Sequence, residues 1–169
     1  MKHAVFDAIF EEEEEDDTKD KYLTFRLADE HYGLGIQYVI EIISIQKITD
    51  VPDLPDFVKG VINLRGQVIP VMDLRLRFGL EPRAYDDRTC VIITRMDDSP
   101  VGLVVDTVNE VRDIPPQNVT APPAIKKGAA ARFIQGFGRI DDHVEILLDV
   151  RQLLGEDELE AIGAVGGAT

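Results

Sequence analysis

Apolar and polar residues alternate in short runs along most of this chain, and turn-forming residues separate the runs. From Tyr22 onward the runs are YLTFRLA, YGLGI, EIISIQ, GVINL, QVIPVMDL, TCVIIT, VGLVVD, NEVRDI, FIQGFGRI and HVEILL. A period of two with many β-branched residues is typical of strands that bury one face. Because the runs are short and no long amphipathic helix separates them, the pattern predicts an all-β fold with short helices, built as barrels or a sandwich.

An internal repeat refines this prediction. Residues 57–79 (FVKGVINLRGQVIPVMDLRLRFG) align without gaps on residues 133–155 (FIQGFGRIDDHVEILLDVRQLLG), 76 positions further on. Residues 32–45 align on residues 101–114, 69 positions further on. Each copy holds about five strands, which is enough for one small barrel. The repeat therefore predicts two similar five-stranded β-barrels that pack side by side.

The repeat and the composition of the two ends predict the domain organisation. The first barrel is expected mainly in residues 22–80 and the second mainly in residues 86–148, inside one folded domain. Seven acidic residues follow one another from Glu11 to Asp17, and such a segment repels itself and cannot pack. The other expected segments are a disordered acidic tail, the folded domain, short C-terminal helices and a flexible end: residues 1–20, 21–156, 149–162 and 163–169.

Turn and cap signals recur at the same places in both copies. Asp73 and Asp149 each precede a short segment in which they are expected to cap a helix. Arg65 and Gly66 lie between two strand runs, which predicts a two-residue hairpin turn with Gly66 at positive φ and Arg65 at the tip. The repeat places Asp141 at the equivalent tip, so the charge there reverses. Spacing alone leaves two interpretations of Arg65 open, a solvated charge and a functional one.

Composition and charge narrow the class of partner. The chain is 44% hydrophobic and 7% aromatic, as expected of a folded globular domain. Its net charge is −14, of which the nine acidic residues and two lysines of the first 20 positions contribute half. This balance repels phosphate groups, which disfavours nucleic acids and anionic membranes and favours protein partners. The single Cys90 is expected as a small core residue of a cytoplasmic protein.

The residue patterns of catalytic and metal sites do not appear in the sequence. His3, His31 and His143 are scattered, and the motifs H-E-x-x-H, C-x-x-C and G-x-S-x-G are missing. The segment Gly136-Phe137-Gly138 is a G-x-G beside acidic residues and lacks the features of a phosphate-binding loop. The sequence therefore predicts a protein without catalytic residues, metal site or cofactor.

Residues 51–79, VPDLPDFVKGVINLRGQVIPVMDLRLRFG, resemble the CheW-like family of chemotaxis coupling proteins. The family pattern there is P-x-F-[IV]-x-G-V-x-N-L-R-G-x-[IV]-[IV]-P-[IV]-x-D-L-R, and this chain matches it throughout. The resemblance continues in VIEI (39–42), VGLVVDTVNEV (101–111) and EILLDVRQLL (145–154). It covers nearly everything from Tyr22 to Leu154.

The resemblance implies two SH3-like five-stranded barrels and a non-enzymatic adaptor. Such a protein links the cytoplasmic tip of chemoreceptors to the regulatory domain of the histidine kinase CheA, at membrane-associated receptor arrays in the cytoplasm. The resemblance implies no cofactor and leaves the kinase-binding residues unassigned. Two alternatives stay open: an adaptor of a parallel pathway such as pilus-based motility, and a β-barrel that binds a small ligand. The receptor-binding residues that the resemblance implies are Val39, Glu41, Gly60, Arg65, Gly102 and Val111.

Overall fold

The computed structural model describes residues 18–96, 99–122 and 131–153. The predicted disordered tail lies almost entirely outside these ranges, as do the predicted flexible end and most of the predicted C-terminal helices. No helix among the described residues is long and apolar enough to cross a membrane.

The described residues form strands with very short helices between them. The elements of the first copy of the repeat are β1 (Lys21–Leu27), β2 (Glu30–Gly35), β3 (Val39–Ser44), β4 (Val58–Leu64), β5 (Gln67–Asp73) and helix α1 (Leu74–Arg77). The elements of the second copy are β6 (Cys90–Met96), β7 (Ser99–Val105), β8 (Thr107–Asp113), β9 (Val119–Thr120), β10 (Ile134–Ile140), β11 (His143–Leu148) and helix α2 (Val150–Leu153). Single 3-10 turns occur at Ile36–Tyr38, Pro116–Asn118 and Ala131–Phe133.

The strands make two sheets, each of which is one SH3-like barrel. We call the six-stranded sheet barrel A, with the strand order β8-β1-β2-β11-β10-β9, and the five-stranded sheet barrel B, with the order β3-β6-β7-β5-β4. Barrel A has one strand more than barrel B because the two-residue β9 counts as a strand. The equivalent segment of barrel B makes only an isolated bridge, between Thr49 and Val61. The predicted all-β class with two barrels of five main strands is confirmed.

The division of the chain between the barrels differs from the sequential one that we predicted, with residues 22–80 in one barrel and residues 86–148 in the other. Strands β1 and β2 lie in barrel A with β8 to β11, while β6 and β7 lie in barrel B with β3 to β5. The copies therefore exchange their first two strands, through the parallel pairs β2–β11 and β5–β7. A repeat shows which strands correspond. It does not show whether a strand pairs within its own copy or with the other copy, because the backbone hydrogen bonds between strands are the same in both cases.

The repeated hairpins occupy equivalent places in the two barrels. The hairpin β4–β5 with α1 corresponds to β10–β11 with α2, and the two lie in different sheets. Both predicted helix caps are confirmed: the Asp73 carboxylate accepts the Arg75 amide at 2.8 Å, and the Asp149 carboxylate accepts the Arg151 amide at 3.0 Å. Gly79, which follows α1, has the positive φ of 75° expected at a helix end.

The largest apolar cluster lies between the barrels and takes side chains from both. It includes Phe25 and Leu34 of barrel A, Leu103 of barrel B, and Phe133. Cys90 also lies in this shared core, as expected of a small apolar residue. Each barrel has its own interior cluster as well: Ile62, Ile69, Val71, Val91, Ile93 and Val104 in barrel B, and Ile114, Ile140 and Leu147 in barrel A. The barrels cannot separate without exposing the shared core to water.

Candidate functional site

The hairpin tip between β4 and β5 carries Arg65. Arg65 and Gly66 both have positive φ, at 52° and 85°, and the Gly66 amide donates to Asn63 Oδ1 at 2.9 Å. A turn with two such residues matches the twist of the flanking strands and keeps the hairpin tight. The predicted two-residue turn is confirmed, and it leaves the Arg65 side chain 67% exposed.

Arg65 pairs with Glu41 of β3. Its Nη2 atom donates to Glu41 Oε1, although 24 positions separate the two residues. Glu41 is only 12% exposed, so its carboxylate is largely shielded from solvent beneath Arg65. β3 and β4 are the two outer strands of the sheet order in barrel B. The ion pair therefore links the two ends of the sheet at the mouth of the barrel.

A cleft of about 320 Å³ opens beside this ion pair. Its floor is apolar, because Ile69 and Ile93 are buried there, whereas Arg65, Gln67 and Arg95 are exposed at its rim. The other lining residues are Ile40, Glu41, Leu64 and Pro100. An apolar floor with a polar rim binds an apolar group whose neighbours make hydrogen bonds or ion pairs. Sequence reasoning missed the floor and Arg95. The signal for them was the alternation of β5 and β6, which puts Ile69 beside Gln67 and Ile93 beside Arg95 on one face.

The other four residues implied by the resemblance do not join this cleft. Val39 is 3% exposed and lies in the shared core. A Cβ atom on Gly60 would lie 2.0 Å from the Thr49 carbonyl oxygen, and one on Gly102 would lie 2.8 Å from Val91 Cγ1. These three residues therefore shape the fold. Val111 packs against the edge of the shared core from β8, in barrel A.

Barrel A has the same arrangement with a different charge pattern. Glu110 and Asp141 are the repeat equivalents of Glu41 and Arg65, and Asp141 has a φ of 54°. Arg112 lies between the two acids, with Nη1 3.1 Å from Glu110 Oε2 and Nη2 3.6 Å from Asp141 Oδ2. The hydrogen bond to Glu110 is the main reason that the pKa of Arg112 lies above its usual value. The turn is kept while the tip charge is reversed, so an arginine at the tip is not a requirement of the fold.

A second polar cluster ties α1 to the junction of β7 and β8. Arg75 donates from Nε and Nη2 to the two carboxylate oxygens of Asp106, at 2.8 and 2.7 Å. Burial raises the pKa of the Asp106 carboxyl, but hydrogen bonds from Arg75 and the Ala28 amide outweigh burial and lower that pKa. Burial and a hydrogen bond to Asp73 raise the pKa of Tyr85. A bidentate pair of this kind holds elements in place, so we assign the cluster a structural role.

Comparison with known proteins agrees with this architecture. Residues 21–158 match the family model of the CheW-like domain. The chemotaxis protein CheW of Klebsiella aerogenes is 34% identical over 145 residues, which cover 86% of this chain and 87% of that protein. The chemotaxis protein CheW of Treponema pallidum is 30% identical over 150 residues, with coverage of 86% and 88%.

A solved structure is similar as well. The crystal structure of the scaffolding protein TtCheW from Thermoanaerobacter tengcongensis is 35% identical and superimposes with a TM-score of 0.76, over 83% of this chain and 95% of that chain. The family model, the sequence relatives and the solved structure all indicate the CheW-like family, over largely the same residues. The chain therefore belongs to the CheW-like family and is a chemotaxis coupling adaptor.

Proposed function

We propose that this adaptor couples chemoreceptors to the histidine kinase CheA without catalysing a reaction, and that the cleft of barrel B binds the cytoplasmic tip of the receptor. The observation that carries the proposal is the ion pair between Glu41 and Arg65 at the rim of an apolar cleft. Both residues belong to segments that resemble the family pattern, and both carry side chains that reach the molecular surface.

The cleft suits an amphipathic helix. An apolar side chain of the receptor fits the floor of Ile69 and Ile93, and its polar neighbours meet the rim. Arg65 is the more exposed member of the ion pair, and its guanidinium can donate hydrogen bonds to a second carboxylate, from a partner, without leaving Glu41. Glu41 then holds the guanidinium in position, which lowers the entropy that is lost on binding.

Coupling requires that receptor and kinase bind at the same time. The cleft occupies one mouth of barrel B, so the rest of the molecule is free for the regulatory domain of CheA, which the family resemblance describes as a similar pair of barrels. In this arrangement the adaptor acts in the cytoplasm, at receptor arrays next to the membrane. Val39, Gly60 and Gly102 support the receptor site by holding barrel B in shape, and Val111 lies on the other barrel.

The proposal is tested by the affinity of the purified protein for a receptor-tip fragment, measured by calorimetry. Truncating a charge that pairs at an interface costs about 2 kcal/mol or more, so Arg65→Ala should weaken binding more than tenfold. Glu41→Gln should also weaken binding, but less, because the amide oxygen still accepts a hydrogen bond from Arg65 while the charge that strengthens it is lost. Arg65→Ala should still fold, with a melting temperature lowered by about a few degrees at most, because Arg65 is exposed but its removal takes this ion pair from the mostly buried Glu41.

Asp141→Ala is the matched control, because Asp141 occupies the equivalent hairpin tip on barrel A. It should bind the receptor fragment as tightly as the wild type. Equal affinities for the wild type and Arg65→Ala, with both proteins folded at the temperature of the measurement, would show that Arg65 does not contact the receptor and that the receptor binds elsewhere.

A further inference from the structure

Two histidines that lie far apart in the sequence meet at one mouth of barrel A. His31 is on β2 and His143 is on β11, and these strands pair in parallel. The two imidazole rings have their centroids 4.7 Å apart. Glu145 follows His143 by two positions and so lies on the same face of β11. His143 Nε2 is 3.3 Å from Glu145 Oε1, and one ligand atom from each of the three side chains lies within 4.8 Å of the others.

The carboxylate of this cluster is buried and only half satisfied. Glu145 is 3% exposed, and its Oε2 atom has no hydrogen-bond partner among the residues that the structure describes. Arg26 lies opposite His31 on β1, yet it does not donate a hydrogen bond to Glu145 Oε2 in the described part of the chain. A buried carboxylate oxygen without a partner is unfavourable by about 1–3 kcal/mol or more, so such an oxygen normally binds an ordered water or a cation. A cation that enters the cluster supplies the missing partner.

The repeat shows that folding does not require these side chains. The equivalents of His31, His143 and Glu145 in barrel B are Pro100, Gln67 and Ile69, at distances of 69, 76 and 76 positions. These three residues line the cleft beside Glu41 and Arg65. The same mouth is therefore lined in barrel B by a proline, an amide and a buried isoleucine, and in barrel A by two imidazoles and a carboxylate. A closed barrel forms in both cases, so the polar set in barrel A calls for a chemical explanation.

Two imidazole nitrogens and one carboxylate oxygen are a common ligand set for Zn²⁺ and neighbouring divalent transition metals. Such ligands bind Zn²⁺ at about 2.0–2.2 Å and then lie roughly 3.4 Å apart in tetrahedral geometry. Ligand atoms within 4.8 Å of one another must therefore close by about 1.4 Å at most, which small side-chain rotations can supply. His31 and His143 are both partly exposed, which gives an ion and a fourth, solvent ligand a path into the site. We propose that His31, His143 and Glu145 bind Zn²⁺ or a similar divalent transition-metal ion at the mouth of barrel A.

The first test titrates Zn²⁺ into the full chain by calorimetry, in excess Mg²⁺ to occupy sites made only of carboxylates. We expect one site with a dissociation constant in the micromolar range or below, weakened at least tenfold by His31→Ala and by His143→Ala. His3→Ala is the control for binding of Zn²⁺ to the third histidine, which lies near the acidic run of the first 20 residues, and it should bind Zn²⁺ as the wild type does. Absence of binding below 1 mM, or equal binding by the wild type and both site variants, would overturn the proposal.

The second test follows the melting temperature with and without Zn²⁺. A saturating ion that binds only the folded state should raise the melting temperature of the wild type by several degrees. Glu145→Ile places the residue of barrel B at this position, and Glu145→Gln keeps the shape of the side chain while removing its charge. Both variants should fold without metal, and both should lose most of the Zn²⁺-dependent shift. A shift of wild-type size in a folded variant would exclude Glu145 as a ligand.

Discussion

Gly60 has a φ of 141°, and a Cβ atom there would lie 2.0 Å from the carbonyl oxygen of Thr49. The Thr49 amide and carbonyl both bond to Val61, so this neighbour cannot move without breaking the bridge that closes barrel B. Gly66 also has a positive φ, of 85°, but a Cβ there would meet nothing within 4 Å. A side chain at Gly66 would therefore meet only the strain of a positive φ, whereas one at Gly60 would meet that strain and a steric clash.

We therefore expect Gly60→Ala to lower the free energy of unfolding by more than about 3 kcal/mol, from strain and the displaced bridge together. Gly66→Ala should lower it by only about 1–2 kcal/mol, the cost of a positive φ without a clash. Urea unfolding of the two variants measures this difference. If Gly60→Ala keeps wild-type stability and loses receptor binding, Gly60 is a contact residue and our structural assignment is wrong.

The features of single residues that could be predicted from the sequence are those determined by neighbouring residues along the chain. The turn at Arg65 and the cap at Asp73 follow from the residues themselves and their immediate neighbours. The pairing of Arg65 with Glu41 could not be predicted, because it depends on the approach of two strands that do not pair with each other. Glu145 is an intermediate case. The repeat aligns Glu145 with Ile69, an apolar residue, so the sequence itself indicates that Glu145 lies on the inner face of its strand. The approach of His31 to Glu145 depends on the parallel pairing of β2 and β11, which the sequence does not show.

The two copies of the repeat exchange their first two strands between the barrels. The repeat predicts the equivalence of the hairpins β4–β5 and β10–β11, because each hairpin is a local unit. The exchange is not predictable in this way, because β1–β2 makes similar edge contacts whichever copy it joins. Its consequence is that neither copy alone holds a complete barrel. Each isolated half would expose strand edges and the shared core.

We expect residues 1–83 and residues 84–169, produced as separate fragments, to be unfolded or self-associated. Mixed in equal amounts they should form a one-to-one complex, because each supplies the strands that complete the barrels of the other. Circular dichroism and size-exclusion chromatography measure both outcomes. A fragment that folds alone as a stable monomer would contradict the exchange and support the sequential division of the chain.

The described residues present two related barrel mouths with different chemistry, on barrels that share one apolar core. The mouth of barrel B is an apolar cleft with the Glu41–Arg65 pair at its rim, and the mouth of barrel A carries Asp141 at its tip with the histidines and Glu145 inside. The shared core joins the barrels. With a receptor at barrel B, as we propose, the shared core would hold the entire adaptor in a defined orientation towards a kinase bound elsewhere on its surface.

Receptor-controlled kinase activity tests this account most directly. Receptor tips, CheA and the adaptor are combined in one assay, and the rate of kinase phosphorylation is compared with and without the adaptor. We predict that the wild type and Asp141→Ala restore receptor control. Arg65→Ala, folded and at an equal concentration well below the dissociation constant of the wild-type receptor complex, should restore less than about a tenth of it, because bound adaptor then falls in proportion to affinity. Receptor control of wild-type size with Arg65→Ala, or none with the wild type, would contradict the account.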